Sequence, residues 1–156
     1  MKILVASDNH FNKQALKDIV NIHQDCDMYL HCGDSDLSPV ELKPFVAVKG
    51  NNDFFGDFPK FRVIDTPKHS FYITHGHLEG CDYRRMGENA KKAGCDIVLY
   101  GHTHIYDDTI EDGIRFINPG SLSHNRDYTT PCYALITIDD KTGEMDVKRI
   151  DLKITK

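Results

Sequence analysis

The sequence predicts a mixed α/β fold in a single domain that spans residues 1–156. Two observations predict this class: aliphatic strand-like segments alternate with helical segments in the first half, and strand-like segments separated by turns follow one another near the end. With 156 residues, 40% of them hydrophobic and 28% charged, the chain has the length and composition of one folded domain. No repeat or low-complexity linker divides it.

The first half is predicted to form strand, helix, strand, short helix and strand. Residues 2–7 are rich in aliphatic side chains, as in a strand buried on both faces. Apolar residues then recur at helical spacing over 15–23, after Asn12 as a candidate N-cap. Two further strands are predicted over 28–32 and 45–49. This alternation is typical of a parallel sheet.

The second half is predicted to contain one helix and several strands. Tyr83 and Met86 belong to the apolar face of the helix, which Gly94 can end. The Asp-Gly and Thr-Gly pairs at 112–113 and 142–143 are turn signals, so the last third is predicted to form antiparallel hairpins. The predicted strands cover residues 61–64, 71–74, 97–100, 105–110, 114–118, 132–138 and 145–150.

The composition restricts the cellular compartment and the classes of binding partner that we expect for this protein. The five cysteines lack Cys-x-x-Cys spacing, which argues against a redox motif or a thiolate zinc site and favours free thiols in a reducing compartment. No apolar run approaches the ~20 residues of a membrane helix, and no signal-peptide pattern is present. We therefore expect a cytoplasmic protein without a membrane partner. The net charge of −5 and the scarcity of basic clusters argue against nucleic acid as the main ligand.

Histidine, aspartate, asparagine and glycine concentrate in five short segments that each follow a predicted strand. In open α/β sheets ligands bind beyond the carboxyl ends of the strands, where such loops converge. Imidazole and carboxylate without thiolate favour manganese, iron, zinc, cobalt or nickel over magnesium or calcium. Seven candidate ligands are too many for one tetrahedral ion but suit two neighbouring ions that share a carboxylate. The segments are 8–10, 33–34, 50–53, 74–77 and 101–104.

The five segments form an ordered set of motifs. They are Asp8-x-His10, Gly33-Asp34, Gly50-Asn51-Asn52-Asp53, His75-Gly76-His77 and Gly101-His102-Thr103-His104, extended by Asn118-Pro119-Gly120-Ser121. The set resembles the signature of the calcineurin-like metallophosphoesterase superfamily, and the chain is most similar to its small bacterial and archaeal phosphodiesterases. The resemblance implies a four-layer αββα sandwich, in which two mixed β-sheets are flanked by helices and the metals lie at one edge.

The resemblance also implies the ligands and the reaction. Asp34 would bridge two divalent ions; the first would also bind Asp8, His10 and His104, and the second Asn51, His75 and His102. A metal-bridging hydroxide would attack phosphorus in line with the leaving oxygen and so hydrolyse a small phosphodiester. Manganese is the expected ion, with zinc, iron, nickel and cobalt as alternatives.

One position departs from the family pattern. Many members carry a histidine where this chain has Asn52, and that histidine is thought to contact the phosphate or protonate the leaving group. An amide can donate a hydrogen bond but cannot deliver a proton at neutral pH. We therefore expect Asn52 to orient the phosphate, while His77, a metal or water serves the leaving oxygen. With Asp53, which we expect to hold this loop in place, these are the candidate catalytic residues.

Other interpretations stay open. Each motif taken alone is also typical of a helix cap, a turn or a buried polar residue. The same fold serves as a non-catalytic protein-interaction subunit of the retromer coat, in which the ligand histidines have degenerated, although this chain retains them. A metal-binding regulator without turnover is a third class of function.

The sequence also leads to expectations about the openness of the site, the oligomeric state and a cluster of phenylalanines. We expect an open site, because the chain has little length to spare for a capping domain. Relatives often form dimers or tetramers, so a homo-oligomer is a candidate assembly. The cluster of Phe54, Phe55, Phe58 and Phe61 is predicted to form a wall beside the site, a dimer contact or part of the core.

Overall fold

The computed structural model describes residues 1–152. The predicted domain extends to residue 156, and residues 153–156 lie outside the described part. In chain order the elements are β1 (Lys2–Ala6), α1 (Lys13–Ile22), β2 (Met28–His31), α2 (Pro39–Leu42), β3 (Val46–Ala47), β4 (Phe61–Asp65), β5 (Ser70–Thr74), a 3-10 turn (His77–Glu79), α3 (Tyr83–Lys92), β6 (Ile97–Leu99), β7 (Asp107–Glu111), β8 (Ile114–Asn118), β9 (Cys132–Ile138) and β10 (Met145–Asp151).

The strands form two mixed five-stranded sheets, with strand orders β10-β9-β1-β2-β3 and β4-β5-β6-β8-β7. β1 runs parallel to β2, and β2 to β3, as predicted for the first half. The antiparallel pairs β7–β8 and β9–β10 confirm the predicted hairpins. In the second sheet β5, β6 and β8 are parallel, and β4 and β7 pair antiparallel at its edges. The predicted α/β class with two mixed sheets is confirmed.

Alternate residues of β1 face different layers of the molecule. Ile3 and Val5 are fully buried in a core between the two sheets. Leu4 and Ala6 face the other way, into a cluster with residues of α1 and α2. Met86 of α3 belongs to a third cluster, on the outer face of the second sheet. The layers therefore run helix, sheet, sheet, helix, because each sheet buries both of its faces.

Two helix boundaries have the predicted geometry. The Asn12 side chain accepts a hydrogen bond from the backbone N–H of Ala15 at 3.1 Å, which satisfies one free donor in the first turn of α1. Gly94 follows α3 with a φ of 75°, a left-handed conformation that favours glycine. None of the helices in the described residues has the length and apolar character that a membrane crossing requires.

Two strand predictions need correction. The strand predicted over 45–49 is only Val46–Ala47, because the N–H of Lys49 donates to the carbonyl of Pro59 outside the sheet. The strand predicted over 105–110 is Asp107–Glu111, because the N–H of Ile105 is taken up by the Thr103 hydroxyl in a turn.

Three of the four clustered phenylalanines lie outside the core, so the predicted role as part of the core is wrong for these three. Phe54 is 80% exposed, Phe55 60% and Phe61 52%. Phe58 is partly buried and packs against the cluster beneath α1 and α2. Phe11 adds to this exposed aromatic surface, with its ring centroid 6.1 Å from that of Phe55.

A histidine outside the predicted site connects the two sheets. His69 lies in the turn between β4 and β5, and its Nδ1 is 2.7 Å from Asp96 Oδ2. Its Nε2 is 2.5 Å from the carbonyl oxygen of Gly143, in the turn between β9 and β10. Burial lowers the pKa of His69, but the bonds to Asp96 and Gly143 outweigh it and raise the pKa above 6.5. Both ring nitrogens donate only when the imidazole is protonated.

We expect this histidine to make stability depend on pH. Because folding raises the pKa of His69, its contribution is complete below the unfolded value near pH 6.5 and is lost as pH rises through the folded value. The His69→Gln variant should therefore lose no more than about 1 kcal/mol at about pH 5.5, and less at about pH 8.5. Denaturant unfolding of both proteins at the two pH values measures this. An equal loss at both would contradict it.

Candidate metal centre

Loops that follow five strands meet at one edge of the sheets. β1, β2 and β3 run parallel, as do β5 and β6, and therefore their carboxyl ends lie together within each sheet. The predicted ligands follow these ends: Asp8 after β1, Asp34 after β2, Asn51 after β3, His75 after β5, and His102 and His104 after β6, with His10 two residues beyond Asp8.

The first group of side chains comprises Asp8, His10 and His104, whose ligand atoms lie within 4.8 Å of one another. Nε2 of His10 is 3.2 Å from Nε2 of His104. Nε2 of His104 is in turn 3.3 Å from Oδ1 of Asp8. Two ring nitrogens and a carboxylate oxygen at this spacing can bind one cation.

The second group comprises Asp34, His75 and His102, again with ligand atoms within 4.8 Å of one another. Nε2 of His75 is 3.3 Å from Oδ2 of Asp34 and 3.3 Å from Nδ1 of His102. The side-chain oxygen of Asn51 is 2.9 Å from His75 Nε2 and 3.1 Å from His102 Nδ1. All four predicted ligands of the second ion are therefore together.

The two groups adjoin. Nε2 of His75, from the second group, is 3.9 Å from Oδ1 of Asp8, from the first. Asp34 belongs by distance to the second group. Its predicted role as the bridge between two ions stays a prediction.

The surroundings of Asp8 Oδ1 indicate which kind of ligand the clustered side chains can bind. The side chain is fully buried, and Oδ1 has no hydrogen-bond donor anywhere in residues 1–152. An unpaired buried carboxylate oxygen is costly, yet His10, His75 and His104 each bring Nε2 within 3.9 Å of it. Nitrogen and oxygen donors that converge in this way are the set that divalent transition-metal ions prefer. The residues fit such cations.

Two of these histidines are held from outside through their other ring nitrogen. Nδ1 of His75 is 2.7 Å from the carbonyl oxygen of Cys32, and Nδ1 of His104 is 2.8 Å from that of His124. A carbonyl oxygen accepts only, so each Nδ1–H donates outward and leaves the Nε2 lone pair for the centre. This arrangement is typical of metal-binding histidines.

Asp36 supports His10 in the same way and was not among the predicted site residues. Its Oδ2 lies 3.1 Å from Nδ1 of His10, and the residue is buried. The available signal was its place two residues after Asp34 in the same loop.

Five of the predicted ligands have a positive φ, an uncommon conformation for residues other than glycine. Backbone strain of this kind collects at functional sites, where the surrounding structure holds it in place. The five angles lie between 39° and 72°, at Asp8, His10, Asp34, His102 and His104.

Gly50 allows the loop after β3 to pass close to Asp34. A Cβ on Gly50 would lie 2.1 Å from Oδ1 of Asp34 and 2.5 Å from its backbone nitrogen. Any side chain at this position therefore forces one of the two loops to move.

The Gly50→Ala variant tests this close approach. We expect its metal affinity, measured by calorimetry, to fall about 10–100-fold, the effect of disturbing the groups that hold a metal ligand in place. Gly94→Ala is the control: it strains a left-handed glycine with nothing within 4 Å of the new Cβ and should leave metal affinity intact. Wild-type affinity in Gly50→Ala would contradict the prediction.

Asp53 is buried and ties two of the loops together. Its Oδ2 accepts hydrogen bonds from the N–H groups of Asp34 at 2.9 Å and of Gly50 at 2.7 Å. Its Oδ1 accepts from the N–H of Asp36 at 3.1 Å. This is the loop-holding position expected from the sequence. Backbone donors occupy its carboxylate, as a loop-holding role requires. Its place among the catalytic residues stays a prediction.

Asn52 lies at the open side of the second group. Its backbone N–H donates to Oδ1 of Asp34 at 2.8 Å, and its side-chain amide is 3.4 Å from Oδ2 of the same carboxylate. His77 lies alongside, with its ring centroid 5.2 Å from that of His75 and 6.1 Å from that of His102. Nδ1 of His77 is buried without a partner in the described part of the chain. The catalytic roles of both residues stay predictions.

The charges of the two aspartates persist at neutral pH. Burial raises the pKa of Asp34, but the hydrogen bond and charge of His75 outweigh it and bring the pKa down to about 2. Burial also opposes ionisation of Asp8, and His104 and His75 again lower its pKa. The neighbouring Asp8 carboxylate raises the pKa of His104. A cation must displace protons from such histidines, so its affinity should weaken in acid.

The motif that extends the family signature fixes the backbone of the ligand loops. The Ser121 hydroxyl donates to the carbonyl of Asp8 at 2.7 Å, and Ser123 donates to the same oxygen at 2.9 Å. The Asn118 amide donates to the carbonyl of Gly101 at 3.1 Å. These residues hold both loops of the first group, a role that their sequence alone did not indicate.

Known proteins are similar to this chain in sequence and in fold. Residues 1–141 match the calcineurin-like phosphoesterase superfamily domain. The Bacillus subtilis (strain 168) protein named "Probable metallophosphoesterase YsnB" is 34% identical over 145 residues, which cover 90% of this chain and 86% of that protein. Phosphodiesterase MJ0936 of Methanocaldococcus jannaschii is 31% identical over 146 residues, with 77% of this chain and 83% of that protein covered.

Solved structures agree. A conserved Streptococcus pneumoniae TIGR4 protein, described as a predicted phosphoesterase, has a TM-score of 0.87 at 30% identity, over 96% of this chain and 88% of that chain. Vps29 of Entamoeba histolytica shares the fold, with a TM-score of 0.75 at 23% identity over 98% of this chain and 100% of that chain. This chain therefore belongs to the calcineurin-like phosphoesterase superfamily and is a metal-binding hydrolase of phosphate esters.

Proposed function

We propose that this protein is a phosphodiesterase that uses two divalent cations, manganese foremost, to hydrolyse a small phosphodiester in the cytoplasm. The observation that carries the proposal is the buried, unpaired Oδ1 of Asp8 with three ring nitrogens within 3.9 Å. A second group of ligand atoms adjoins it. The cytoplasmic location is supported by the cysteines, all five of which are free thiols that a reducing compartment preserves.

Asp8, His10 and His104 would hold one divalent ion, and Asn51, His75 and His102 would hold the other, with Asp34 as a ligand of both. Such ions would supply Lewis acidity and would lower the pKa of water, which is the chemistry that hydrolysis of a phosphodiester needs. Asp8 and Asp34 return only two negative charges against four positive ones. The site therefore stays positive and attracts a phosphate anion.

Two features favour a diester as the substrate. The relative in Methanocaldococcus jannaschii is named a phosphodiesterase at 31% identity. Asn51 and Asn52 are exposed, so the edge of the second group is open to solvent and leaves room for an ester group on either side of the phosphorus. One N–H of the exposed Asn52 amide faces Oδ2 of Asp34, and the other can donate a hydrogen bond to a phosphoryl oxygen.

The alternative is a non-catalytic protein-interaction scaffold like the retromer subunit. The likeness to Vps29, at 23% identity, is one of fold alone. The ligand residues argue for the enzyme, because a scaffold has no need of a buried carboxylate oxygen with three histidines around it. A stoichiometric metal without turnover would favour the scaffold or a metal-binding regulator.

Hydrolysis of bis(p-nitrophenyl) phosphate tests the proposal. The protein is stripped of metal with a chelator, and activity is measured with and without added manganese. We expect activity only with the metal, and its loss in the Asp8→Ala and His75→Ala variants. Asp18→Ala changes an exposed aspartate of α1 and is the matched control. Stoichiometric binding of manganese without any turnover of phosphate mono- or diesters would contradict the proposal.

The amide at Asn52 leads to a second expectation for the same reaction. Because an amide cannot protonate the departing oxygen, rates should depend on the leaving group, and fall on the order of a hundredfold from the best to the poorest of a series of aryl phosphodiesters. The measurement is kcat/KM across that series, with the chemical step rate-limiting. The Asn52→His variant should flatten the dependence. A flat dependence in the wild-type protein would contradict the assignment of Asn52.

A further inference from the structure

A surface groove extends outward from the second ligand group of the candidate metal centre. A cavity of about 210 Å³ touches the centre at Asn51 and His77 and extends to Lys60 and Leu78. A larger cavity of about 590 Å³ shares Lys60 and Leu78 with it. The two cavities therefore adjoin at these residues. We call the two together the basic groove, defined by Lys49, Lys60, Phe61, Leu78, Arg85 and Lys92.

The four basic side chains of this groove are unpaired. None has a carboxylate within 4.0 Å among residues 1–152, whereas many other cations of the chain form ion pairs. All four residues are exposed. In a chain with a net charge of −5, this is a local excess of positive charge that begins at the metal centre.

Two acidic residues, Glu79 and Glu88, also line the groove, and against its four basic residues they leave it with a net positive charge. Glu79 is buried and accepts hydrogen bonds from the Thr74 hydroxyl at 2.6 Å and from the Asn89 amide at 2.7 Å. Glu88 pairs with Arg84 at 3.3 Å, outside the groove. The basic side chains therefore face solvent with their charges available to a ligand.

One wall of the groove is an aromatic surface. Phe61 stacks on Tyr72, with ring centroids 5.5 Å apart and an interplanar angle of 26°. Phe61 is 52% exposed and Leu78 56%. An exposed flat ring beside unpaired cations is the combination that binds a nucleobase together with a phosphate, since bases stack on aromatic faces and phosphates pair with lysine and arginine.

We infer that the basic groove binds the retained arm of the substrate, and that this arm is a nucleoside that carries a second phosphate. The inference rests on the proposed phosphodiesterase and names its substrate class: short, phosphorylated dinucleotides or nucleotide esters. The scissile phosphate lies at the metal centre, the second phosphate at Lys60 and Lys49, and the base against Phe61. The low total charge of the chain is consistent with a small nucleotide and not with a long nucleic acid.

A matched pair of substrates tests this. The p-nitrophenyl ester of thymidine 3′-phosphate is compared with the same ester that also carries a 5′-phosphate. Water forms the new P–O bond, the bond to the aryl oxygen breaks, and p-nitrophenolate leaves, so both reactions have the same leaving group. We expect kcat/KM to be about tenfold higher with the 5′-phosphate, from its charged hydrogen bonds to lysine.

Variants test which residues cause the preference for the 5′-phosphate. A general loss of activity lowers both kcat/KM values equally and therefore leaves their ratio unchanged. Lys60→Gln should reduce the ratio at least about threefold, and Lys60→Arg, which keeps the charge, should preserve it. Lys17→Gln, on an exposed face of α1, is the control. Phe61→Leu should reduce the preference for the thymidine ester over methyl p-nitrophenyl phosphate about tenfold.

Binding provides a readout without turnover. Calorimetry should find tighter binding of thymidine 3′,5′-bisphosphate than of thymidine 3′-phosphate, and Lys60→Gln should reduce this difference at least about threefold. A ratio of the two kcat/KM values near one in the wild-type protein, or a ratio that Lys60→Gln leaves unchanged, overturns the inference. If the protein still hydrolyses bis(p-nitrophenyl) phosphate, that result does not affect the proposed phosphodiesterase function. Absence of all hydrolysis with the calorimetric preference intact overturns the phosphodiesterase and supports the groove.

Discussion

The Asp34→Asn variant should lose phosphodiester hydrolysis on the order of a thousandfold, the scale expected when a group that organises charge at the reacting phosphorus is removed. Asparagine keeps the size of the side chain but removes the negative charge that lies 3.3 Å from His75 Nε2. The amide also cannot accept on both sides, although both carboxylate oxygens face Asn52 donors. Metal content should fall with activity if Asp34 is shared by two ions.

Activity against bis(p-nitrophenyl) phosphate and metal content per chain, measured after dialysis against manganese, check this result together. Asp18→Asn is the matched control, because it removes one exposed carboxylate from α1. Full metal content in Asp34→Asn would show that Asp34 does not bridge the ions. Full activity would remove Asp34 from the mechanism altogether.

The Asp53→Asn variant should unfold more easily, by about 2–3 kcal/mol, because it leaves a buried polar group unsatisfied. Three backbone N–H groups donate to the Asp53 carboxylate, from Asp34, Gly50 and Asp36. An asparagine NH₂ group in the place of either oxygen would face at least one of these donors with a donor of its own. We also expect weaker metal binding, since both tied loops carry ligands.

Denaturant unfolding in a metal-free buffer isolates the effect on stability. Asp57→Asn, an exposed change four residues further along the chain, is the control and should stay within about 0.5 kcal/mol of the wild-type protein. Excess manganese should recover part of the lost activity of Asp53→Asn, because a positioning residue acts through the ligands and not on the substrate. Failure of any manganese concentration to raise its activity, with stability unchanged, would make Asp53 a catalytic residue.

The convergence of the polar segments could be predicted because its signal is local in sequence. Each motif follows a strand, and parallel strands bring their carboxyl ends to a common edge, so the spacing of Asp8, Asp34 and His75 along the chain indicated where they would meet. The supporting contacts are long-range and carry no such signal. Ser121 reaches the Asp8 carbonyl across 113 positions of sequence, and nothing in the residues around Ser121 identifies that partner.

The fold shows the same division between local and long-range information. Asn12 and Gly94 mark helix ends through their own backbone preferences, which the sequence displays directly. β3 is only two residues long, because the backbone beyond it bonds to Pro59, a partner that hydrophobic patterning does not reveal. Exposure of Phe54 and Phe55 likewise depends on how the loop after β3 crosses the surface.

Anomalous diffraction from crystals soaked in manganese tests the two-ion centre most directly. We expect two peaks, one among Asp8, His10 and His104 and the other among Asn51, His75 and His102, with Asp34 in contact with both. A single peak, or manganese bound elsewhere while these side chains keep their arrangement, would contradict the two-ion phosphodiesterase.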